Sequence, residues 1–304
     1  MRVLLLGAGG QVGWELQRSL APLGELIALN RHGNGLHDGA HGNLCGDLTN
    51  LPGLAQTVQK IRPDVIVNAA AHTAVDKAES EGELAHTLNA LAPGVLAHEA
   101  VRLGALLVHY STDYVFDGSG TQPWHEDDAT GPLSIYGQTK LDGERLIQAA
   151  CPHHLIFRTS WVYAARGGNF ARTMLRLGQE RERLSVIDDQ FGAPTGADLL
   201  ADVTAHAVRQ VLQRPQDAGL YHLVASGETT WNGYAKYVLR QAQSILPAIN
   251  IKAVEVAEVA TSAFPTPARR PHNSRLDTTR LQATFGLKLP DWRLGVTRML
   301  TEIL

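Results

Sequence analysis

The stretch VLLLGAGGQVG, residues 3–13, decides the fold of this 304-residue chain. Its four apolar residues predict a buried strand, and the glycines that follow stand three apart at Gly7, Gly10 and Gly13. Gly7 permits a tight turn, Gly10 lets the backbone approach a pyrophosphate, and Gly13 lets the next helix pack closely. An anion is favoured at that helix N-terminus by free N–H groups and the helix dipole. The stretch therefore predicts a dinucleotide-binding turn, with a simple tight turn as the alternative.

Beyond this turn, short apolar runs alternate with longer amphipathic ones, which is typical of βα units around a parallel sheet. We predict strands at 3–6, 25–29, 65–68, 106–110 and 154–158, and helices at 11–20, 51–60, 83–103 and 140–150. Most of these strands are apolar throughout, as expected when helices cover both faces of the sheet. The predicted fold class is therefore α/β, a doubly wound parallel sheet of the Rossmann type.

The alternation becomes irregular beyond about residue 160, where prolines and glycines interrupt the chain more often. We predict a dinucleotide-binding Rossmann domain over residues 1–160 and a smaller α/β substrate-binding lobe over residues 161–304. The two are expected to interleave, because 184–188 reads as another strand and 198–212 as another long helix. The first domain is therefore predicted to include residues from about 184 to 215 as well.

Residues near the end of the second predicted strand indicate which dinucleotide is bound. NAD-binding folds of this type place an acidic residue there to accept from the ribose 2′-hydroxyl. This chain has Asn30 and Arg31 instead, and an arginine can pair with a 2′-phosphate. NADP(H) is the predicted cofactor, with NADH left open and a solvated loop arginine as the alternative. Asp47 is a candidate to bind the adenine edge or, alternatively, to cap the helix that begins at Leu51.

The composition favours a protein of the reducing cytoplasm. Its 27 basic and 30 acidic residues lack the basic excess of a nucleic-acid-binding protein. Cys45 and Cys151 are too few for a disulfide framework and too far apart for a metal site, and the histidines lack paired helical spacing, so we assign no metal. No run of 18 apolar residues predicts a membrane span, and residues 1–6 read as a strand rather than a secretory leader. We expect neither a nucleic acid nor a membrane as partner.

Three side chains are candidates for catalysis. Tyr136 and Lys140 stand four residues apart, on one face if the segment is helical. A nearby cation lowers the pKa of a phenol, which is otherwise too high for acid–base work at neutral pH; an exposed helical pair is the alternative. Thr112 ends an apolar strand at the ligand-binding edge of such sheets, and is predicted to hydrogen-bond a substrate carbonyl oxygen or, alternatively, only local backbone. Their order after the glycine turn favours catalysis.

With these motifs in place, the chain resembles the extended short-chain dehydrogenases/reductases and, among them, the dTDP-4-dehydrorhamnose reductases. The matching stretches extend nearly to the C-terminus and are GAGGQVG (7–13), NAAAHTAVDKAE (68–79), STDYVFDG (111–118), YGQTK (136–140), RTSWVY (158–163), DQFGAPT (189–195) and RPHNS (270–274). His72 is a departure, because tyrosine is expected there. The resemblance is specific enough to imply an activity.

That activity is the NADPH-dependent reduction of the C4 ketone of dTDP-4-dehydro-β-L-rhamnose to dTDP-L-rhamnose. The resemblance implies that NADPH delivers hydride to C4 while Tyr136 donates the proton. Lys140 is then expected to bind the nicotinamide ribose and lower the pKa of Tyr136, and Thr112 to orient the carbonyl. The partner is thus a small-molecule substrate. The sequence leaves the oligomeric state open, with a homodimer as one candidate.

The remaining site predictions combine the motifs with the resemblance. The predicted cofactor contacts are Gly7, Gly10, Gln11, Val12, Gly13, Asn30, Arg31, Asp47, Leu48, Ala69, Ala70, Ala71, Tyr136 and Lys140. The predicted substrate contacts are Thr112, Asp113, Trp161, Asn169 and Arg270. Trp161 is a candidate to stack on a sugar or base or to pack in the core, Asn169 to touch substrate or to cap a helix, and Arg270 to bind a diphosphate.

Two other functions share parts of this pattern. A nucleotide-sugar epimerase or dehydratase has the same turn and tyrosine–lysine pair, but similar dehydratases carry Asp-Glu after the threonine, whereas this chain has Asp113 followed by Tyr114. A non-catalytic NADP-binding regulatory subunit, resembling the regulatory partner of methionine adenosyltransferase, keeps the dinucleotide turn. Thr112, Tyr136 and Lys140, all present here, favour an enzyme.

Overall fold

The strands and helices follow the alternation of the sequence. The computed structural model describes residues 1–32 and 44–304. Its strands are β1 (Arg2–Leu6), β2 (Glu25–Leu29), β3 (Val65–Asn68), β4 (Leu106–Thr112), β5 (His154–Thr159), β6 (Val162–Tyr163), β7 (Arg183–Ile187), β8 (Phe191–Gly192), β9 (Thr195–Gly196), β10 (Gly219–His222), β11 (Thr229–Thr230) and β12 (Glu255–Val259). Its α-helices are α1 (Gln11–Leu20), α2 (Leu51–Ile61), α3 (Val75–Ala78), α4 (Gly82–His86), α5 (Ala92–Leu103), α6 (Ile135–Ala150), α7 (Phe170–Glu180), α8 (Ala197–Gln213), α9 (Trp231–Ile245), α10 (Thr279–Phe285) and α11 (Trp292–Ile303). No helix in these ranges is long and apolar enough to cross a membrane.

Six parallel strands form the central sheet, in the order β10-β5-β4-β3-β1-β2. The chain leaves β1 toward β2 on one side and returns to β3 on the other, so the direction of winding reverses between β1 and β3. The predicted doubly wound α/β fold is confirmed, as are the five predicted strands, to within two residues at each end.

Three elements differ from the sequence predictions. The sixth strand, β10, was not predicted, because four residues beginning with glycine and ending with histidine carry little strand signal. The strand predicted at 184–188 forms as β7, but it pairs with β12 outside the central sheet, whose edge β10 occupies. The helix predicted at 83–103 is divided into α4, a π-helical segment at Thr87–Leu91, and α5.

Helices bury both faces of the sheet, because successive strand residues point to opposite sides. In β1, Val3 and Leu5 belong to a core that includes Leu16 of α1 and Leu200 of α8. Leu4 and Leu6 belong to the opposite core, which includes side chains of α2 and α5. Each of these β1 side chains is fully buried, which explains why the strand is apolar without alternation.

A separate core stabilises the second lobe. Its buried side chains come mainly from α7, α9 and α11, and they include Met174, Tyr234 and Trp292. The helix predicted at 198–212 forms as α8, and it packs against α1 on the central sheet rather than within this second core. The chain therefore leaves the sheet layer after β5 and returns to it at α8 and β10.

A buried ion pair joins the sheet to α6. Arg158 of β5 donates from Nε and Nη2 to the carboxylate of Glu144, at 3.0 and 2.7 Å. The side chains are 5% and 1% exposed. Removing one member of such a pair leaves the other charge buried without a partner, which costs far more than losing an exposed pair.

We expect Glu144→Gln to lower the free energy of unfolding by about 3–5 kcal/mol, because the Arg158 guanidinium would lose its compensating charge. Urea unfolding followed by circular dichroism measures this. Glu180→Gln is the matched control, since its partner Arg176 is exposed, and it should cost at most about 1 kcal/mol. Equal small losses in both variants would show that the buried pair does not anchor α6.

Candidate active site

A cleft of about 670 Å³ opens at the carboxyl ends of the central strands. Its walls come from the glycine turn after β1, the ends of β3 and β4, the first turns of α6, and four residues of the second lobe, Trp161, Val162, Trp231 and Arg270. The cleft lies beside the point where the winding direction reverses between β1 and β3. Open α/β sheets bind their ligands at this place.

Most of the predicted site residues line this one cleft. They are Gly7, Gly10, Gln11, Val12, Asn30, Arg31, Asp47, Leu48, Ala69, Ala70, Ala71, Thr112, Asp113, Tyr136, Lys140, Trp161 and Arg270. The other two, Gly13 and Asn169, are placed behind the wall. A Cβ at residue 13 would lie 2.0 Å from the carbonyl oxygen of Gly7, so Gly13 permits the close packing of α1 that its spacing predicted.

Asn169 acts locally in this structure. Its Oδ1 accepts from the backbone N–H of Arg172, and its Nδ2 donates to the carbonyl oxygen of Ala164 at 2.7 Å. The helix-capping alternative therefore describes what its side chain does here. Asn169 Nδ2 also donates to Gln11 Oε1 at 3.4 Å, and Gln11 lines the cleft.

The glycine turn has the shape and polarity of an anion site. Gly7 has a φ of +83°, and a Cβ there would lie 2.6 Å from the backbone nitrogen of Ala70. Gly10 precedes α1, no side chain caps that helix, and its first turn has no acidic residue. The first backbone N–H groups of α1 are therefore left for a ligand.

The structure separates two interpretations of Asp47. Its Oδ1 accepts from the backbone N–H and the hydroxyl of Thr49, at 3.0 and 2.9 Å. Asn50, rather than Asp47, caps α2 by accepting from Gly53. The helix-cap alternative for Asp47 is therefore wrong. Arg31 is exposed at the same end of the cleft.

Tyr136 lies in the first turn of α6, which begins at Ile135, five residues before the predicted start of that helix. Ser134 caps the helix by accepting from Gly137, and fixes the direction from which the tyrosine enters the cleft. Burial raises the pKa of Tyr136 to about 12, and a side-chain hydrogen bond with Thr112 opposes that rise. Tyr114 packs edge-on against its ring, with 5.5 Å between centroids.

Lys140 reaches past Tyr136 to strand β4. Its Nζ donates to the carbonyl oxygen of Tyr110 at 2.5 Å and lies 3.0 Å from His109 Nε2. Within the described residues, no hydrogen bond joins Lys140 to Tyr136. Lys140 was expected to lower the pKa of Tyr136, but in this arrangement the pKa of Tyr136 is raised, because burial has the largest effect on it. Burial also lowers the pKa of Lys140, to about 8.

Thr112 and Asp113 form a buried pair at the end of β4. The Thr112 hydroxyl donates to Asp113 Oδ1 at 3.0 Å and accepts from the backbone N–H of Tyr114 at 3.2 Å. Asp113 is 2% exposed, and burial raises the pKa of its carboxyl to about 6. The threonine thus both lines the cleft and caps the short turn after the strand.

Two stacked tryptophans form the wall on the side of the second lobe. Trp161 and Trp231 lie 3.7 Å apart between ring centroids, at an interplanar angle of 17°. Trp161 has a φ of +49°, an unusual backbone conformation for a residue with a side chain, which costs on the order of 1–3 kcal/mol. Sequence analysis did not identify Trp231, since it follows two threonines at the start of α9 without a motif. Its Nε1 donates to Gln190 at 3.0 Å.

Arg270 connects the second lobe to the sheet layer. Its Nη2 donates to Asp76 Oδ2 at 2.7 Å, and Asp76 belongs to α3, which follows β3. The Nε of Arg270 is buried and has no hydrogen-bond partner among the described residues. Arg270 thus lines the cleft while its Nε donor is buried behind that surface.

Comparisons with known proteins agree with this geometry. The family described as RmlD substrate binding domain matches residues 1–304. The curated dTDP-4-dehydrorhamnose reductase of Salmonella typhimurium is 60% identical over 303 residues, which cover 100% of this chain and 98% of that protein.

Two solved structures have the same fold over nearly their full lengths. A dTDP-4-dehydrorhamnose reductase of Clostridium acetobutylicum is 35% identical, with a TM-score of 0.87 and coverage of 100% and 99%. That of Bacillus anthracis, solved in complex with NADP, is 34% identical, with a TM-score of 0.86 and 99% of each chain covered. The chain therefore belongs to the family that the RmlD substrate binding domain defines.

Proposed function

We propose that the chain is an NADPH-dependent dTDP-4-dehydrorhamnose reductase, which reduces the C4 ketone of dTDP-4-dehydro-β-L-rhamnose to the alcohol of dTDP-L-rhamnose. The observation that carries this proposal is the full-length identity of 60% to a reductase of that name. The cleft supports it, because Thr112, Tyr136 and Lys140 line one cavity with the glycine turn. When bound, NADPH supplies the hydride.

The sheet layer is proposed to bind the cofactor. The uncapped N-terminus of α1 suits the pyrophosphate, and Arg31, with no carboxylate at position 30, suits a 2′-phosphate. Beyond the contacts of its Nζ with Tyr110 and His109, Lys140 keeps one N–H, and we assign it to the nicotinamide ribose. Residues 1–160, joined by α8 and β10, make up the proposed cofactor domain.

Tyr136 is the proposed proton donor. With a pKa near 12, its phenol stays protonated at neutral pH, which is the state that a reduction requires. The proton moves from the Tyr136 hydroxyl to the substrate oxygen as negative charge develops there. Tyr114 stands where similar dehydratases carry a carboxylate, and its phenol cannot replace that group, which favours reduction over dehydration.

The Thr112 hydroxyl has one proton, and in this structure it donates that proton's hydrogen bond to Asp113. Thr112 can donate to a substrate carbonyl only after turning away from Asp113 or after Asp113 is protonated. We infer that Asp113 directs the Thr112 hydroxyl, and that its charge decides whether Thr112 donates to Asp113 or to the substrate. Both residues stay predicted substrate contacts.

Residues 161–304, without α8 and β10, make up the proposed substrate lobe. Trp161 and Trp231 offer a flat apolar wall to a base or sugar, and the charged guanidinium of Arg270, which lines the cleft, suits a diphosphate oxygen. The free cysteines, Cys45 and Cys151, favour a reducing compartment, which we infer to be the cytoplasm. A homodimer stays a prediction.

Tyr136→Phe keeps the ring and removes the acidic proton, so we expect NADPH to bind normally while kcat falls by about 10²–10⁴-fold. Single-turnover oxidation of NADPH with the dTDP-keto-sugar measures the chemical step, and a fluorescence titration measures binding. Tyr114→Phe is the control and should keep most activity. Near-parental turnover of Tyr136→Phe would assign the proton to another group. A parent protein that binds NADPH without any turnover would support the regulatory-subunit alternative.

Arg31→Ala should weaken NADPH binding more than NADH binding, by about 1.5–3 kcal/mol, because only NADPH has the 2′-phosphate that the guanidinium would contact. Titration calorimetry with both cofactors measures the difference. Arg176→Ala, which removes an exposed arginine outside the cleft, should change neither affinity. Equal losses for both cofactors would exclude Arg31 as the selective residue.

Asp113→Asn should remove the contribution of the Asp113 carboxyl to the pH dependence of the free energy of unfolding. The carboxyl has a pKa of about 6 when folded and 3.8 as a model group, so the native state binds more protons between these values, and stability falls as pH rises. Relative to Asp113→Asn, the parent should lose about 2–3 kcal/mol between pH 4 and pH 7 in urea unfolding.

A pH-independent difference between parent and variant would contradict a raised pKa. Asp117→Asn gives the control of opposite sign. Its hydrogen bond from the backbone N–H of Ser119 lowers the pKa of Asp117, so its contribution is lost as pH falls.

A further inference from the structure

A buried chain of polar side chains runs behind the cleft from β3 to α6. Asn68 and His109 are cross-strand partners of β3 and β4. The Nδ1 of His109 lies 3.2 Å from Asn68 Nδ2, and its Nε2 lies 3.0 Å from Lys140 Nζ. These three side chains are at most 2% exposed, so bulk water does not supply their hydrogen bonds.

The direction of each hydrogen bond in this chain follows from one backbone group. The N–H of Ala70 donates to Asn68 Oδ1 at 3.2 Å, which turns the amide oxygen toward Ala70 and the amide nitrogen toward His109. An amide NH₂ only donates, so His109 Nδ1 must accept. A neutral imidazole has one N–H, and that proton must then be on Nε2, directed at Lys140.

A protonated lysine does not fit this arrangement. An ammonium has three donors and no lone pair, so an Nε2–H facing it would place two donors together. A neutral amine has a lone pair that accepts from Nε2–H, while its own N–H donates to the carbonyl oxygen of Tyr110. The imidazolium form is disfavoured as well, because burial and the neighbouring Lys140 lower the pKa of His109 well below its ordinary value.

We propose that His109, oriented by Asn68, is a positioning residue that favours the neutral amine of Lys140. The inference rests on the proposed function only in placing Lys140 at the active site. A lysine with a pKa near 8 can take up or release a proton within the working pH range, whereas a lysine with its ordinary pKa stays protonated there. His109 thus adjusts the proton affinity of the cleft from a position outside its wall.

Other charged groups near Lys140 and His109 also affect whether the lysine is protonated. Glu144, one turn after Lys140 on α6, favours the ammonium, but its carboxylate is already bound by Arg158 of β5. Asp113, which directly follows β4, accepts a hydrogen bond from the Thr112 hydroxyl. Burial of Lys140 lowers its pKa, so it acts in the same direction as the proposed bond from His109.

The first test reads the tautomer directly. In ¹⁵N-labelled protein without NADPH or substrate, long-range ¹⁵N–¹H spectra distinguish Nε2–H, Nδ1–H and imidazolium rings. The signals of His109 are those missing from His109→Gln. We expect the Nε2–H tautomer above pH 8, where Lys140 is mainly the neutral amine. An Nδ1–H tautomer or an imidazolium would overturn the proposal.

The second test measures the lysine. The chain has six lysines, so ¹³C-lysine labelling gives few signals, and that of Lys140 is missing from Lys140→Arg. We expect its titration midpoint near 8, roughly two units below the exposed lysines. In Asn68→Asp the new carboxylate accepts from Nδ1–H, the ring proton moves, and the midpoint should rise by about one unit or more. An ordinary midpoint for Lys140 in the parent would overturn the proposal.

The added charge of Asn68→Asp raises the midpoint on its own, so the same change is made in a His109→Leu background. A smaller rise there shows transmission through the imidazole, and an equal rise overturns it. If His109→Leu does not fold, the tautomer in the parent decides alone. Neither measurement uses turnover, so an inactive enzyme with the expected tautomer would refute the proposed function and leave this inference standing.

Discussion

The close contact between the first turn of α1 and the end of β1 is the constraint on which the site depends. At Gly13 a Cβ would lie 2.0 Å from the carbonyl oxygen of Gly7, and at Gly7 it would meet the backbone of Ala70. Because neither position has room for a side chain, the turn, α1 and the segment after β3 approach one another closely. That approach brings the free N–H groups of α1 to the same edge of the sheet as Thr112.

Local patterns in the sequence predicted the sheet layer well, because its strands are apolar on both faces and its glycine turn has a fixed spacing. They could not predict where a long side chain ends. The four-residue spacing places Tyr136 and Lys140 on one face, but it does not reveal that Lys140 extends to His109 and Tyr110. Trp231 was missed for a related reason, since its partner lies 70 residues earlier in the chain.

Burial shifts the ionisable groups around the reaction site toward their neutral forms. It raises the pKa of Asp113 and Tyr136 and lowers that of Lys140 and His109. These shifts bring the protonation equilibria of Asp113 and Lys140 closer to neutral pH, whereas Arg31 and Arg270, at other parts of the cleft, are proposed to bind phosphates by their charge. On this proposal the two ends of the cleft differ, since charge binds the phosphates at one end and a proton is transferred at the other.

The backbone at Trp161 has a consequence for how the two lobes are oriented. The chain leaves the central sheet at the end of β5, and Trp161 is the second residue after it, with a φ of +49°. A left-handed residue at the exit of a strand sets the direction in which the following chain departs. The aromatic ring, stacked on Trp231, opposes relaxation of that dihedral. The angle between the lobes, and with it the width of the cleft, is therefore coupled to the same ring that is proposed to face the substrate.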